Sequence, residues 1–446
     1  MLLTLVSFLF AIGLLVTVHE YGHYRIAKWL GVRVLTFSIG FGKPLLQWRC
    51  GETQWQIAAI PLGGFVQMLG ESHQALSPSE SVHAFDRQHP LRKMAIVAAG
   101  PLANLLFAWL LFALAFMVGV DAIKPVVGSV RAGGIVAEAG LRSGDEVTRF
   151  AGHEIQSWED LRLAALAEVG SRTQLTVHGA GGGEHDVMLD LSGFGGKDIG
   201  IDILSRLGLS PVPLINRIAQ VEPGSAAAQA GLLAGDVVTA VNDHPVMQWE
   251  RLQSLVAENP GRALRLSVRR GADLLEFTAT PSVMLSMEGK VGRLGILPEI
   301  DEKRFARLRF TLQLDPLAAL QKSGEMVLNL SEITARAMVA MLTGGLSASN
   351  VSGPIGIARM AGDSAGLGVA AYLQYLALLS LSLGLLNLLP VPVLDGGHLL
   401  YHSAELVRGR PLSASWQMVG QRIGIALLVG LMLLAFYNDI HRFIPG

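Results

Sequence analysis

Residues 1–23, MLLTLVSFLFAIGLLVTVHEYGH, carry no charge as far as Val18 and close on His19-Glu20-Tyr21-Gly22-His23. An uncharged apolar run of this length predicts a membrane-spanning helix. It lacks a basic leading segment and a small-residue cleavage site, so it reads as a retained span rather than a signal peptide. On a helix, His19 and His23 share a face and can reach one Zn²⁺, with Glu20 placed to take a proton from a metal-bound water. Ionisable groups in or beside a span point to function. The competing reading is a helix end leaving the membrane with interfacial polar residues.

Three further uncharged stretches, residues 94–120, 364–394 and 423–438, predict spans. The whole chain, 446 residues with 51% hydrophobic content and a mean hydropathy of +0.44, is too apolar for an ordinary soluble enzyme. Its 35 basic and 36 acidic residues leave a net charge of -1, so no global field argues for a nucleic-acid partner. Cys50 is the only cysteine, which excludes an intramolecular disulfide and a Cys-based zinc site. Arg25, Lys28, Arg33, Lys43, Arg49, Arg87, Arg92 and Lys93 lie between the first two spans, and Arg408, Arg410 and Arg422 between the last two. Those loops are therefore expected to be cytoplasmic. Residues 121–363 then face outward, which in a bacterium is the periplasm.

The outward segment repeats itself. AGLRSGDEVT at residues 139–148 returns as AGLLAGDVVT at 230–239, and Trp158-Glu159 matches Trp249-Glu250. Each copy reads as a short helix ending at Gly, a Gly-Asp turn, an alternating strand, a polar turn and a second helix, capped by Ser157 in the first. The pattern resembles PDZ domains of bacterial envelope proteases, over residues 122–205 and 212–298. The resemblance implies a groove that accepts an extended peptide by strand addition; two plain packing domains are the alternative. Within residues 299–363, Asp315-Pro316 predicts the start of an amphipathic helix running to about Leu342, followed by a Gly/Ser-rich connection over 344–368.

A catalytic zinc needs a third protein ligand and an open position for water. Asp86, Asp395, His398, His402 and Glu405 are candidates on the same edge of the membrane. Asp395 ends the longest apolar stretch, and Gly396-Gly397 would let backbone approach a metal closely. Pro390 and Pro392 break a span and leave unpaired carbonyls, tolerated at membrane depth only beside a protected wet cavity, which a hydrolytic site requires. Residues 37–48 and 54–68 are too short and too interrupted by Gly and Pro to span, and read as strands dipping toward the site. Gly100-Pro101 and Asn104 in the second span are adequately explained by helix packing.

HExxH at the end of the first span, together with Asn387-Leu-Leu-Pro390-Val-Pro392-Val-Leu394-Asp395-Gly396 downstream, resembles the site-2 protease family. The resemblance implies Asp395 as third zinc ligand beside His19 and His23, Glu20 as general base, and Asn387 as a group that holds substrate near the metal. It also implies a membrane-reentrant β element that includes Gly40 to Gly42, and a GPxxN pattern matching Gly100 to Asn104. The expected architecture is a polytopic α-helical membrane protein. It has four transmembrane helices, the first pair in residues 1–121 and the second in 364–446, and two tandem PDZ domains of α+β type. The expected cofactor is Zn²⁺. Expected partners are the lipid bilayer and single-span membrane substrates: an anti-sigma factor already cut outside the membrane, and remnant signal peptides, with the outer part of a substrate at the PDZ domains. The expected location is the bacterial inner membrane, active site toward the cytoplasm. Two rivals remain at this point: a membrane scaffold with a vestigial site, and a transporter, which would want ionisable residues spread through several spans.

Overall fold

The computed structural model describes residues 2–70, 76–131, 134–195, 203–286, 289–342 and 353–443. It forms two compact units, one made of Met1–Val120 with Leu312–Gly446 and the other of Asp121–Thr311. Among the described residues, four helices are long and apolar enough to cross a membrane: Leu2–Trp29, Pro90–Val118, Val369–Asn387 and Ser415–His441.

In the first unit, α1 spans Leu2–Trp29. It continues past the apolar run because Arg25 and Lys28 are good helix formers, so HExxH lies within the helix rather than at its end. Its buried residues Ser7, Ala11, Leu15, His19, His23 and Ala27 recur every fourth position, a single stripe that places both histidines on the packed face. Strands β1 (Val34–Cys50) and β2 (Thr53–Met68) follow. Each is long enough to fold back on itself. Residues 34–39 lie between residues 64–68, with Val34 opposite Met68 and Ile39 opposite Gly64, and residues 54–57, with Thr36 opposite Gln54. Residues 46–50 pair in turn with 53–57, which leaves 64–68 as an edge.

Helix α2 (Pro90–Val118) starts with Pro90 in its first turn and His89 as N-cap, accepting from the Leu91 N–H. It crosses α1 closely at Gly22, where a Cβ would strike the Ala99 carbonyl. After the second unit, α3 (Pro316–Leu342) begins where Asp315 accepts the Leu317 and Ala318 amides at 3.0 and 3.2 Å. It docks on α2, with Trp109 Nε1 donating to the Leu320 carbonyl at 2.8 Å. Part of the expected connection, residues 343–352, lies outside the described residues. The rest is helical: α4 covers Pro354–Leu367. Asp439 receives the amides of Gly353, Ile355 and Gly356 at 3.0–3.1 Å, a cap supplied from far along the chain that no local pattern announces.

Gly368, at φ +119, separates α4 from α5 (Val369–Asn387), so the third span is shorter than residues 364–394. The prolines of the Leu388–Leu394 turn interrupt the chain before α6 (Asp395–Arg408). Helix α7 (Ala414–Phe443) is longer than its uncharged core.

The second unit contains two similar four-stranded sheets. Strand Glu146–Phe150 lies between His153–Glu154 and Arg172–His178, with Glu184–Asp190 outside; strand Val237–Val241 lies likewise between His244–Pro245 and Leu264–Arg270, with Asp273–Ala279 outside. Each sheet carries one longer helix, Trp158–Ala167 with a Ser157 capping box, and Trp249–Ala257, where Gln248 makes no side-chain cap, beside a four-residue one, Ile135–Glu138 and Ala226–Gln229. The two Gly-Asp turns are built alike. Asp145 accepts the Arg142 amide at 2.8 Å and Asp236 the Leu233 amide at 2.9 Å, each closing its own turn.

Candidate metal centre and active site

His19 and His23 are buried, 8% and 9% exposed, and their Nε2 atoms lie 3.3 Å apart. Asp395, the first residue of α6, brings Oδ2 to 3.0 Å from His19 Nε2 and 3.5 Å from His23 Nε2. Two ligand atoms of a tetrahedral zinc with bonds of about 2.0–2.1 Å stand roughly 3.3–3.4 Å apart. The three observed separations bracket that value. No N–H is aimed at Asp395 Oδ2, a buried oxygen without a hydrogen-bond partner. His23 Nδ1 lies 2.8 Å from the Ile96 carbonyl, which can only accept, so this nitrogen carries the proton and Nε2 presents a lone pair. Two imidazole nitrogens and a carboxylate oxygen converging on one point fit a cation, and three protein donors leave a fourth position for water.

Glu20 lies against residues 64–68 of β2. Gly64 permits this approach: a Cβ there would stand 2.7 Å from the Ser38 carbonyl and 3.0 Å from Glu20 Cγ. Asn387, at the end of α5, places its amide 3.5 Å from His19 Nε2.

The other candidate ligands fall outside the His19–His23–Asp395 cluster. Glu405 is bound by Lys93 Nζ at 3.0 Å and by His402 Nδ1 at 3.2 Å. Burial opposes ionisation of Glu405, but the Lys93 hydrogen bond wins and holds its carboxyl below the usual range. This pair joins α6 to α2. Asp86 pairs with its neighbour Arg87 at 3.5 Å. His398 stacks edge-on against Tyr401. Gly396 and Gly397 have a packing role. A Cβ on Gly396 would strike the carbonyls of Leu388 and Leu389, and one on Gly397 would meet Pro392 Cα at 2.7 Å. The glycines let the proline turn lie against the first turn of α6. Val393 in that turn has φ +111, an unfavourable conformation for a β-branched residue.

The second span contributes more than packing. A Cβ at Gly100 would fall on His23 Nε2 and stand 2.9 Å from His19 Cε1. Asn104, fully buried, has Nδ2 at 3.2 Å from His19 Nδ1. The GPxxN resemblance leaves a supporting position beside the site open for these residues, but residue type alone does not announce it, because Gly and Asn are common at helix crossings.

The model of peptidase family M50 matches residues 7–431. The regulator of sigma-E protease RseP of Escherichia coli is 40% identical over 449 residues, covering 98% of each chain. Protease RseP of Yersinia pestis is 39% identical, also covering 98% of each. A Neisseria meningitidis protein whose name describes it as a zinc metalloprotease is 38% identical over 98% of this chain and 99% of its own. Agreement of this extent, with apolar helices and a convergent His-His-Asp cluster, leaves neither scaffold nor transporter as the reading of the chain. It belongs to peptidase family M50 and is a membrane-embedded zinc metalloendopeptidase of the site-2 type.

Proposed function

We propose that His19, His23 and Asp395 hold the zinc ion, that Glu20 is the general acid and base, and that Asn387 hydrogen-bonds the substrate. The observation that carries this reading is the trio of separations, 3.3, 3.0 and 3.5 Å, among His19 Nε2, His23 Nε2 and Asp395 Oδ2. Zinc bound there lowers the pKa of its water and polarises the scissile carbonyl. Glu20 takes the proton of the attacking water and returns it to the leaving amine. The Asn387 amide donates to a backbone carbonyl of the substrate near the scissile bond. Residues 64–68, an unpaired edge beside Glu20, form part of a membrane-reentrant element. They offer the strand against which an unwound substrate segment can pair, offsetting part of the cost of opening its helix.

The substrates are single-span membrane proteins, among them an anti-sigma factor of envelope stress signalling and remnant signal peptides; the Escherichia coli relative's name, regulator of sigma-E protease, supports the link to sigma E. The enzyme resides in the bacterial inner membrane with its active site toward the cytoplasm. Residues 122–205 and 212–298 are periplasmic PDZ domains that bind or exclude the outer part of a substrate, a reading supported by their shared sheet order and repeated Gly-Asp turn.

The test is cleavage of a tagged single-span substrate by purified protein in detergent. Glu20→Gln is expected to lower turnover by about 10²–10⁴-fold while retaining zinc, and chelation is expected to abolish wild-type cleavage. A mutant that cleaves like wild type removes Glu20 from the chemistry; one that loses zinc makes it structural.

A further inference from the structure

We infer that Asn104 is a positioning residue for the zinc site: its side-chain oxygen accepts the Nδ1 proton of His19 and thereby turns the Nε2 lone pair toward the metal. The inference rests on the ligand assignment proposed above. Asn104 is 0% exposed, and its side-chain oxygen, as oriented, is buried without a partner while its Nδ2 faces His19 Nδ1 at 3.2 Å. Oxygen and nitrogen of an amide are assigned from the hydrogen-bond network. Rotating this amide by half a turn places the oxygen against His19 Nδ1, where it can accept the ring proton that a metal on Nε2 requires there. In the opposite arrangement the amide donates to Nδ1, and the neutral ring carries its proton on Nε2. That proton would fill the Nε2 position a metal needs and could not coexist with a metal.

The position is fixed by helix packing. The Asn104 carbonyl accepts from Ser380 Oγ at 2.8 Å, and a Cβ on Gly384 of α5 would meet the Asn104 Cβ at 3.3 Å. The same face of α2 directs the second histidine through the Ile96 carbonyl, 2.8 Å from His23 Nδ1. One helix thus sets the tautomer of both imidazoles, by a side-chain oxygen for His19 and a backbone oxygen for His23.

The experiment measures zinc affinity of the purified full chain by competition with a chromophoric chelator, and the visible spectrum of the cobalt-substituted protein. Wild type is compared with Asn104→Ala, Asn104→Leu, Asn104→Asp and His19→Ala. Asn104→Ala and Asn104→Leu are expected to weaken zinc binding by about 10- to 100-fold and to shift the cobalt bands. Asn104→Asp, which keeps an acceptor in the same place, is expected to restore affinity to near wild type. Wild-type affinity and spectrum in Asn104→Leu, or loss of affinity in Asn104→Asp as deep as in Asn104→Leu, overturns the inference. Should the apolar variants fail to fold, Asn104→Asp decides alone. His19→Ala separates the two levels: if it still binds zinc as wild type does, the ligand assignment itself fails, whereas its loss beside an unaffected Asn104→Leu removes only the role of Asn104.

Discussion

At the scale of single residues, Gly100 and Asp236 show that a small group can matter more than its contact area. An alanine at Gly100 should favour helix α2 by up to about 1 kcal/mol through propensity. Its methyl would nevertheless occupy the space of the His23 ring, and overpacking of a filled site costs about 1–3 kcal/mol. The second effect is local to the metal centre, so Gly100→Ala is expected to bind zinc more weakly while its unfolding temperature in detergent changes little. Equal zinc affinity would mean the rings can move aside. Asp236 is fully buried, and Arg270 reaches it with Nε at 2.7 Å and an Nη at 2.8 Å. Burial works to raise its pKa, but the Arg270 hydrogen bond and the Leu233 amide hold it below the ordinary carboxylate value. A folded-state pKa below the unfolded one makes this group stabilising above about pH 4, and that stabilisation is lost as pH falls through the folded-state value. Asp236→Asn is therefore expected to lower the unfolding temperature of the second repeat at pH 7 by several degrees, and to flatten its decline between pH 4 and pH 2. Calorimetry of the full chain checks both; parallel acid profiles would show that the pair contributes no linkage.

At the scale of elements, what could be read from the sequence depended on how far along the chain each cause lies. HExxH was legible because its chemistry sits within one helical turn, and the Asp315 cap because donor and acceptor are neighbours. The turn of residues 388–394 announced itself through two prolines. Helix α4 did not, since its cap, Asp439, comes from α7 and its flanking glycines read as a linker. The close packing of α6 was legible as two glycines but not in its purpose, because only the folded chain shows the carbonyls of Leu388 and Leu389 beneath them. The α4 cap is open to test. Asp439→Ala removes the acceptor for three amides at once, and loss of a cap costs about 1–2 kcal/mol. The expected result is faster amide exchange over residues 355–360 with zinc content unchanged. Unchanged exchange would show that α4 is held by packing alone.

At the scale of the whole molecule, every group placed at the metal centre belongs to the first unit: His19, Glu20 and His23 on α1, Gly64 on β2, Asn104 on α2, Asn387 on α5 and Asp395 on α6. The segment Asp121–Thr311 is inserted between α2 and α3. The ends of that insertion are joined by the first unit itself, because the Leu314 amide donates to the Phe116 carbonyl at 3.0 Å and Gln313 Nε2 to the Met117 carbonyl at 3.0 Å. Loop-closure entropy grows only slowly with length, so replacing a long insertion between adjacent points by a short flexible linker should cost the first unit little. A chain in which Asp121–Thr311 gives way to a Gly/Ser linker of about ten residues is therefore expected to bind zinc within a few-fold of wild type. If the inserted unit excludes the outer part of uncut substrates, acting as a filter, the shortened chain should also cleave single-span substrates that still carry their outer domains, which the intact enzyme should spare. Zinc retention with unchanged selectivity would keep the autonomy of the first unit and remove the filter; loss of zinc would show that the inserted unit is needed to hold the helices in register.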